Sequence, residues 1–433
     1  MIQQTLKNKI SFYTFGCRLN QSETAVIQNS LLQSGYAVVN FGQEADIVVV
    51  NTCTVTENGD ADTRRLVNKI VRTQPNAKIA LVGCQAQMQK EKLAELPNIG
   101  WVIGNAKKFE LAKIFSTPGV ENFPQVITPA ISRNAFEIPA AGIDRGRTRA
   151  NIKIQDGCDF FCTFCEIPYA RGRARSRIFS NILDEVRSLV DAGHQEIILT
   201  GINIGTYQAD EKKISDVIAA LENIEGLKRI RISSIEPTTI PDIILEKMAA
   251  GSKLCRYLHI PLQSGSNEIL AKMRRKYTAE EFTRFITNAR SRVAGICIGT
   301  DVIVGFPGER EEHFQETFDL LRELPIDYFH VFSYSKRTMA KSKDLPDAIP
   351  QKVIEQRSEI LRELSRRKRR VLNENALGKT AAVLFENEKK GYWTGLTDNY
   401  IRVYTASGFN LKNQIRPVKL LGIRENTVYG ELI

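Results

Sequence analysis

Apolar positions along the first hundred residues follow two alternating rhythms. Ile10–Phe15 and Lys78–Val82 are short apolar runs, and Asp46–Val50 (DIVVV) is almost continuous. Runs of this kind read as strands buried on both faces of a parallel sheet. Helical spacing covers Asn20–Gln33, Asp60–Thr73 and Gln85–Leu96 between them. Asn20 and Glu23 stand three apart, the spacing of a capping box. The βαβαβα order predicts a parallel, right-handed α/β domain over residues 8–116.

Ser116–Arg149 carries Pro118, Pro124, Pro129 and Pro139 and shows no clean period. Residues 117–149 therefore read as a linker with at most one short strand. A second α/β series follows over 150–376. Its strands are expected at Asn151–Gln155, Glu196–Thr200, Lys228–Ser233, Tyr257–Leu262, Cys297–Val304 and Tyr328–Tyr334. Helices are expected at Asn181–Ala192, Glu280–Arg292, Glu311–Glu323 and Gln351–Ala376. Six βα units fit a partial barrel or an open sheet, and periodicity does not separate the two. Past Gly378 the pattern changes to five short alternating strands, from Ala381–Glu386 to Val428–Leu432. That pattern predicts a small antiparallel β-barrel over 377–433.

The composition is that of a globular protein, with 25% charged and 42% hydrophobic residues. The net charge of +11 favours a polyanionic partner. Eight cysteines are too few for a disulfide scaffold of 433 residues. The opening MIQQTLKNKI has no apolar signal core, and no apolar run reaches membrane-spanning length. The expectation is a cytoplasmic protein with reduced thiols and no membrane partner.

Those thiols are not spread at random. Cys158, Cys162 and Cys165 lie in one short loop, DGCDFFCTFCEIP. Three thiolates so spaced can wrap one small metal centre. An iron–sulfur cluster normally takes four, so three leave an exchangeable position on one iron. A structural zinc site is the alternative, and the histidine nearest in sequence is His194. Cys17, Cys53 and Cys84 each follow one of the first three expected strands. Parallel strands end on one edge, so these three would converge where ligands bind. The alternative is three buried core cysteines. Cys297 opens an apolar strand and reads as core, and Cys255 receives no role. His259, in HIPLQSGS, reads first as a core histidine.

Polar residues at later strand ends include Asn203, Glu236, Gln263 and Asp301. Arg171, Arg173, Arg175 and Arg177 alternate just after the cysteine loop, and an extended segment would place all four on one side. There they would hold phosphates or a substrate carboxylate through forked hydrogen bonds. The Arg366–Arg370 run would hold nucleic acid more remotely. Tyr392, Trp393, Tyr400 and Tyr404 offer stacking faces or barrel core.

The Cys158/Cys162/Cys165 loop, with Phe164 before its last cysteine, resembles the cluster motif of the radical S-adenosylmethionine (SAM) enzymes. With Cys17, Cys53 and Cys84 upstream and a small barrel downstream, nearly the whole chain resembles the methylthiotransferases. That family combines an N-terminal cluster domain, a radical SAM core and an RNA-binding TRAM-type barrel. The Cys17–Gln21 neighbourhood (CRLNQ) resembles the members acting on threonylcarbamoyladenosine in tRNA. Members acting on isopentenyladenosine typically show CQMN-like residues there, and those acting on a ribosomal protein CPKN-like ones. Met339 departs from the family, which usually has glycine near that point.

The resemblance implies two 4Fe-4S clusters with different work. The Cys158/Cys162/Cys165 cluster would cleave SAM reductively to give a radical, and the Cys17/Cys53/Cys84 cluster would carry or donate sulfur. SAM would serve as both radical source and methyl donor, with Asn203, Glu236, Gln263 and Asp301 at the strand ends that cradle it. The implied partners are tRNA, an electron donor and a sulfur source, the last two of unknown identity. A non-catalytic, metal-stabilised RNA-binding protein is the competing reading.

Overall fold

The computed structural model describes residues 7–54, 57–117, 123–139, 141–143, 146–425 and 427–433; Pro118 of the expected linker lies outside them. The first domain contains β1 (Lys7–Thr14), α1 (Arg18–Gln33), β2 (Tyr36–Val38), β3 (Ile47–Thr52), α2 (Glu57–Thr73), β4 (Lys78–Gly83), β5 (Ile99–Ile103) and β6 (Gln125–Ile127). Its six strands form one sheet in the order β2-β1-β3-β4-β5-β6, and every pair is parallel. β6 comes from the expected linker. Alternate strand residues feed two separate cores. Val48, Val50, Ile79 and Leu81 pack on one face, and Val49, Ala80 and Val82 on the other. The expected helix Gln85–Leu96 is broken at Gln89 into Cys84–Met88 and Lys90–Ala94.

Strand order reverses between β1 and β3, which makes the carboxyl ends of these two strands a topological switch point. The expected Asn20–Glu23 capping box does not form. Cys17 occupies the N-cap of α1, and Asn20 and Glu23 lie inside the first turns, buried. Their polarity serves partners on both domains: Asn20 bonds Phe15, Thr52 and Arg171, and Glu23 bonds Lys108, Lys153 and Arg171.

That domain contains β7 (Arg149–Lys153), β8 (Glu196–Thr200), β9 (Arg229–Ile232), β10 (Tyr257–His259), β11 (Cys297–Val304) and β12 (Tyr328–Ser333). They pair in parallel as β9-β8-β7 and β10-β11-β12, and a parallel bridge between Ser234 and His259 joins the two sets. The six strands stand in chain order with no reversal. That is the order of a barrel wall, and it resolves the open alternative in favour of a partial barrel. Ile152, Ile197, Leu199, Ile230 and Ile232 face the surrounding helices in the largest apolar core. The alternate residues, including Asn151, Lys153, Glu196, Arg231, His259 and Asp301, make the opposite face polar.

Helix α1 packs along β7, the edge strand of this wall. Lys153 Nζ lies 2.8 Å from Glu23 Oε1 across that contact. The last domain is a closed barrel of β13 (Thr380–Lys389), β14 (Tyr392–Thr397), β15 (Arg402–Ala406), β16 (Ile415–Arg424) and β17 (Thr427–Leu432). Its pairs are antiparallel except β15–β17, which is parallel. Arg149 and Arg256 of the core pair with Glu386 and Asp398 of the barrel at 2.8 and 2.7 Å. Tyr400 precedes β15 and stacks on Tyr257 of the core, with ring centroids 4.4 Å apart. It fills a domain junction, not the barrel core or an open stacking face. Trp393 is barrel core, while Tyr392 is partly exposed and meets Tyr429 edge-on; Tyr404 also packs on Tyr429. Among the described residues no helix is long and apolar enough to cross a membrane.

Candidate metal centres

Cys17 follows β1, Cys53 follows β3, and Cys84 opens the short helix after β4. All three sit at the carboxyl edge of the first sheet. Gly16, at φ +88°, makes room for one of them: a Cβ there would lie 2.7 Å from Cys53 Sγ. Asn105 Nδ2 reaches Cys84 Sγ at 3.7 Å.

The second trio lies in the loop between β7 and the short helix Ile167–Arg171. Each of its sulfurs accepts an N–H. Phe160 N approaches Cys158 Sγ at 3.4 Å, Ile167 N approaches Cys165 Sγ at 3.4 Å, and Arg275 Nη1 approaches Cys162 Sγ at 3.2 Å. Donors of this kind favour thiolate over thiol. Burial works the other way and pushes the Cys158 and Cys165 thiols up to about 11 and about 12. A metal that takes these sulfurs therefore displaces protons.

The segments that carry the two trios touch one another. Thr54, next to Cys53, donates to Glu166 Oε2, next to Cys165, at 3.2 Å. Arg337 contacts both, with Nε 3.1 Å from Glu166 Oε2 and Nη2 2.7 Å from Thr54 Oγ1. Asn105, at Cys84, also donates to the Ala170 carbonyl at 2.7 Å. Met339, at the position of the missing glycine, donates its amide to Glu166 Oε1 at 2.7 Å. Its φ is not positive, so this turn does not require glycine.

His194 is buried, with Nδ1 3.1 Å from the Thr148 carbonyl, and it does not join the cysteine loop. The ligand atoms of His259, Asp301 and His330 lie within 4.8 Å of one another. Cys255 and Cys297 are buried away from both trios, in the core.

A cavity of about 310 Å³ opens at Cys158 and is lined also by Asn203, Thr206 and Arg175. Asn203 Oδ1 accepts from Thr239 at 2.9 Å, and its Nδ2 is buried without a partner. Glu236 pairs with Arg275, whose other nitrogens reach Cys162 and Tyr277. Asp301 Oδ1 lies 2.9 Å from His259 Nε2, and the Gln263 amide donates to the Asp301 carbonyl at 2.8 Å. Cavity, orphaned amide and N–H donors at each sulfur fit a cluster with a polar ligand beside Cys158.

The arginine row corrects the sequence reading. Arg171 ends a helix, and only Arg175 and Ser176 are extended. Arg171 is buried, with Nη1 2.9 Å from Glu23 Oε1 and 3.0 Å from Asp156 Oδ1. Arg177 is buried against Glu185, and Arg175 Nη2 lies 2.8 Å from Asp156 Oδ2. The side chain of Arg173 is 45% exposed. Arg171 thus ties the two domains together, Arg175 and Arg177 brace the second domain from within, and none of these three presents a free guanidinium to RNA at the surface. The Arg366–Arg370 run differs, because Arg366, Arg367 and Arg370 stand at the surface. Arg366, Arg367 and Arg370 pair with glutamates on their own helix, and Arg369 lies over Tyr328.

Burial opposes ionisation of Glu23, but Arg171, Lys108 and Lys153 outweigh it and hold the carboxyl well below its usual range. The stability this network gives is therefore present at neutral pH and is lost as pH falls through and below the ordinary carboxylate range. Arg171→Leu leaves two buried carboxylates short of a partner and is expected to destabilise by about 3–5 kcal/mol. Arg173→Leu, at the surface, is expected to stay within about 0.5 kcal/mol. Urea unfolding of both variants checks this, and equal effects would contradict it.

Sequence reasoning missed Arg275, Asn105, Glu166 and Arg337. Arg275 sits in the run Arg274-Arg275-Lys276, which looks like solvated surface.

A partial parallel barrel with a three-cysteine loop at its carboxyl edge defines the class: a radical SAM protein. The model of the radical SAM superfamily matches residues 152–321, and that of the uncharacterized protein family UPF0004 matches 9–104. The threonylcarbamoyladenosine tRNA methylthiotransferase MtaB of Bacillus subtilis is 36% identical over 95% of this chain and 93% of its own. The protein of the same name from Aquifex aeolicus is 38% identical over 91% and 96%. The tRNA-2-methylthio-N(6)-dimethylallyladenosine synthase of Ehrlichia chaffeensis is 33% identical over 97% and 98%. Among solved structures, the radical SAM methyltransferase TsrM of Kitasatospora setae shares the fold, with a TM-score of 0.56, 18% identity and coverage of 75% and 74%. The chain belongs to the radical SAM methylthiotransferase family.

Proposed function

We propose that this chain methylthiolates carbon 2 of threonylcarbamoyladenosine next to the anticodon of tRNA. The observation that carries the reading is the Thr54–Glu166 contact, which sets two three-cysteine edges against each other. Carbon 2 of adenine carries no acidic proton, so an acid–base pair does not suffice and a cofactor must supply the chemistry. When bound, SAM and two 4Fe-4S clusters supply radical attack on that C–H bond, a sulfur and a methyl group.

The chain's own residues supply the rest. Cys158, Cys162 and Cys165 hold one cluster, and Arg275 donates to Cys162 while neutralising Glu236. Asn203 Nδ2, in the Cys158 cavity, offers a donor to the SAM bound there. Glu236, Gln263 and Asp301 stand at neighbouring strand ends as further SAM contacts. Cys17, Cys53 and Cys84 hold the second cluster at the carboxyl edge of the first sheet. Arg173, exposed beside the loop, and the surface of the C-terminal barrel contact tRNA phosphates, which makes binding salt-dependent. The electron donor and the sulfur source are further partners.

The experiment is a comparison of two anticodon stem-loops, one bearing threonylcarbamoyladenosine and one isopentenyladenosine, each with reconstituted enzyme, reductant, sulfide and SAM. The first is expected to be methylthiolated at least about tenfold faster, a difference of roughly 1.4 kcal/mol in transition-state binding. Nucleoside mass spectrometry reads the outcome. Faster conversion of the isopentenyl form would reassign the substrate.

A further inference from the structure

Resting on that reading, we infer that a second cavity, where α1, β7 and the C-terminal barrel meet, binds the free carboxylate of the substrate's amino-acid arm. The cavity holds about 460 Å³ and is lined by Arg18 and Gln21 from α1, Arg149 and Asn151 from β7, and Glu386 from the barrel. Three polar atoms among these residues are buried with no hydrogen-bond partner: Arg18 Nη1, Arg149 Nη1 and Asn151 Oδ1. Buried polar groups in folded chains are almost always satisfied, and three exceptions at one cavity point to a ligand.

Each of the three groups is pinned on its other edge. Arg18 Nη2 donates to Tyr400 OH at 2.9 Å, and Arg149 Nε donates to Glu386 Oε1 at 2.8 Å. Asn151 Nδ2 faces Gln21 Oε1 at 3.4 Å, and that oxygen also accepts from Arg147 Nη1 at 2.9 Å. The Nδ2 of Asn151 is thereby engaged, and Oδ1 is left as the unpaired atom of that amide. The site offers two guanidinium donors and one acceptor, held rigid before any ligand arrives.

An anionic oxygen group answers the two donors, and both a carboxylate and a backbone phosphate are of that class. The acceptor separates them. A threonylcarbamoyl arm carries a carboxylate together with N–H and O–H donors, so it satisfies all three atoms. A phosphodiester has no donor of its own, and Asn151 Oδ1 would be paired only if a neighbouring ribose 2′-OH reached it as well. An isopentenyl arm has neither charge nor donor and would leave all three unpaired. A site built to hydrogen-bond a group rejects analogues that lack it more strongly than an apolar pocket rejects a size change. Arg18 directly follows Cys17 in the chain, so the residue that offers the donor is joined to a residue of the first trio.

The test uses full-length reconstituted enzyme and stem-loops bearing threonylcarbamoyladenosine or its methyl ester. The wild type is expected to show a KM for the acid about ten- to a hundredfold below that for the ester, the range of one charge-assisted hydrogen-bond pair. Arg18→Gln is expected to bring the ratio near one, and Arg18→Lys to restore part of it. A wild-type enzyme that converts both forms with equal KM overturns the inference while leaving the proposed substrate intact, and needs no variant. Equal weakening of acid and ester by Arg18→Gln also overturns it and identifies a phosphate contact. A wild-type enzyme that converts only an isopentenyl stem-loop removes the substrate reading and this inference together.

Discussion

Cys158→Ala is expected to abolish reductive cleavage of SAM and, with it, all methylthio product. Cys158 lines the cavity that Asn203 enters, and its sulfur accepts the Phe160 amide. Replacing a residue that merely orients a metal ligand typically costs about 10–100-fold, so loss of the ligand itself is expected to exceed ~100-fold. Chromatographic measurement of cleaved SAM under reducing, anaerobic conditions reads this directly. Cleavage at the wild-type rate would remove Cys158 from the radical site.

Cys53→Ala separates the two jobs. This cysteine sits on the first domain, and the Cys158 loop keeps its three sulfurs and their donors when it is lost. SAM cleavage is expected to stay within about tenfold of wild type, while methylthio product falls by more than ~100-fold, as for removal of a metal ligand elsewhere. The substitution removes the sulfur that Gly16 accommodates and introduces no bulk, so the local fold is expected to hold. Parallel loss of cleavage and product would mean that the trios do not act separately. Intact product would remove Cys53 from the chemistry.

The contrast between the two variants depends on features that differed in how openly the sequence displayed them. Strands such as Ile47–Thr52, apolar on both faces, leave little else for the chain to do, and their order alone specified a parallel sheet. The six cysteines were legible for a related reason: three close in one loop, and three at successive strand ends, are patterns that composition does not produce by chance. The curvature of the second domain was not legible, because strands of a barrel wall and of an open sheet have the same period. It follows from strand order, which the Ile230–Leu254 and Ser234–His259 bridges make continuous.

The arginine row shows a different limit. Alternating arginines have one signature whether they face water or buried acids. The acids that decide the matter here, Glu23, Asp156 and Glu185, come from α1, the cysteine loop and a later helix. Glu23 itself looked like a capping residue because Asn20 precedes it by three. The same distance in sequence hides Arg18 and Arg149, whose shared cavity exists only once three domains meet.

The central claim is that one chain holds two clusters. Iron and acid-labile sulfide in anaerobically reconstituted protein test it most directly. The account predicts about eight of each per wild-type chain, and about four of each when either trio is replaced by alanine, since each 4Fe-4S cluster holds four irons. A wild-type protein that stops at about four, or that takes up stoichiometric zinc in their place, would contradict it.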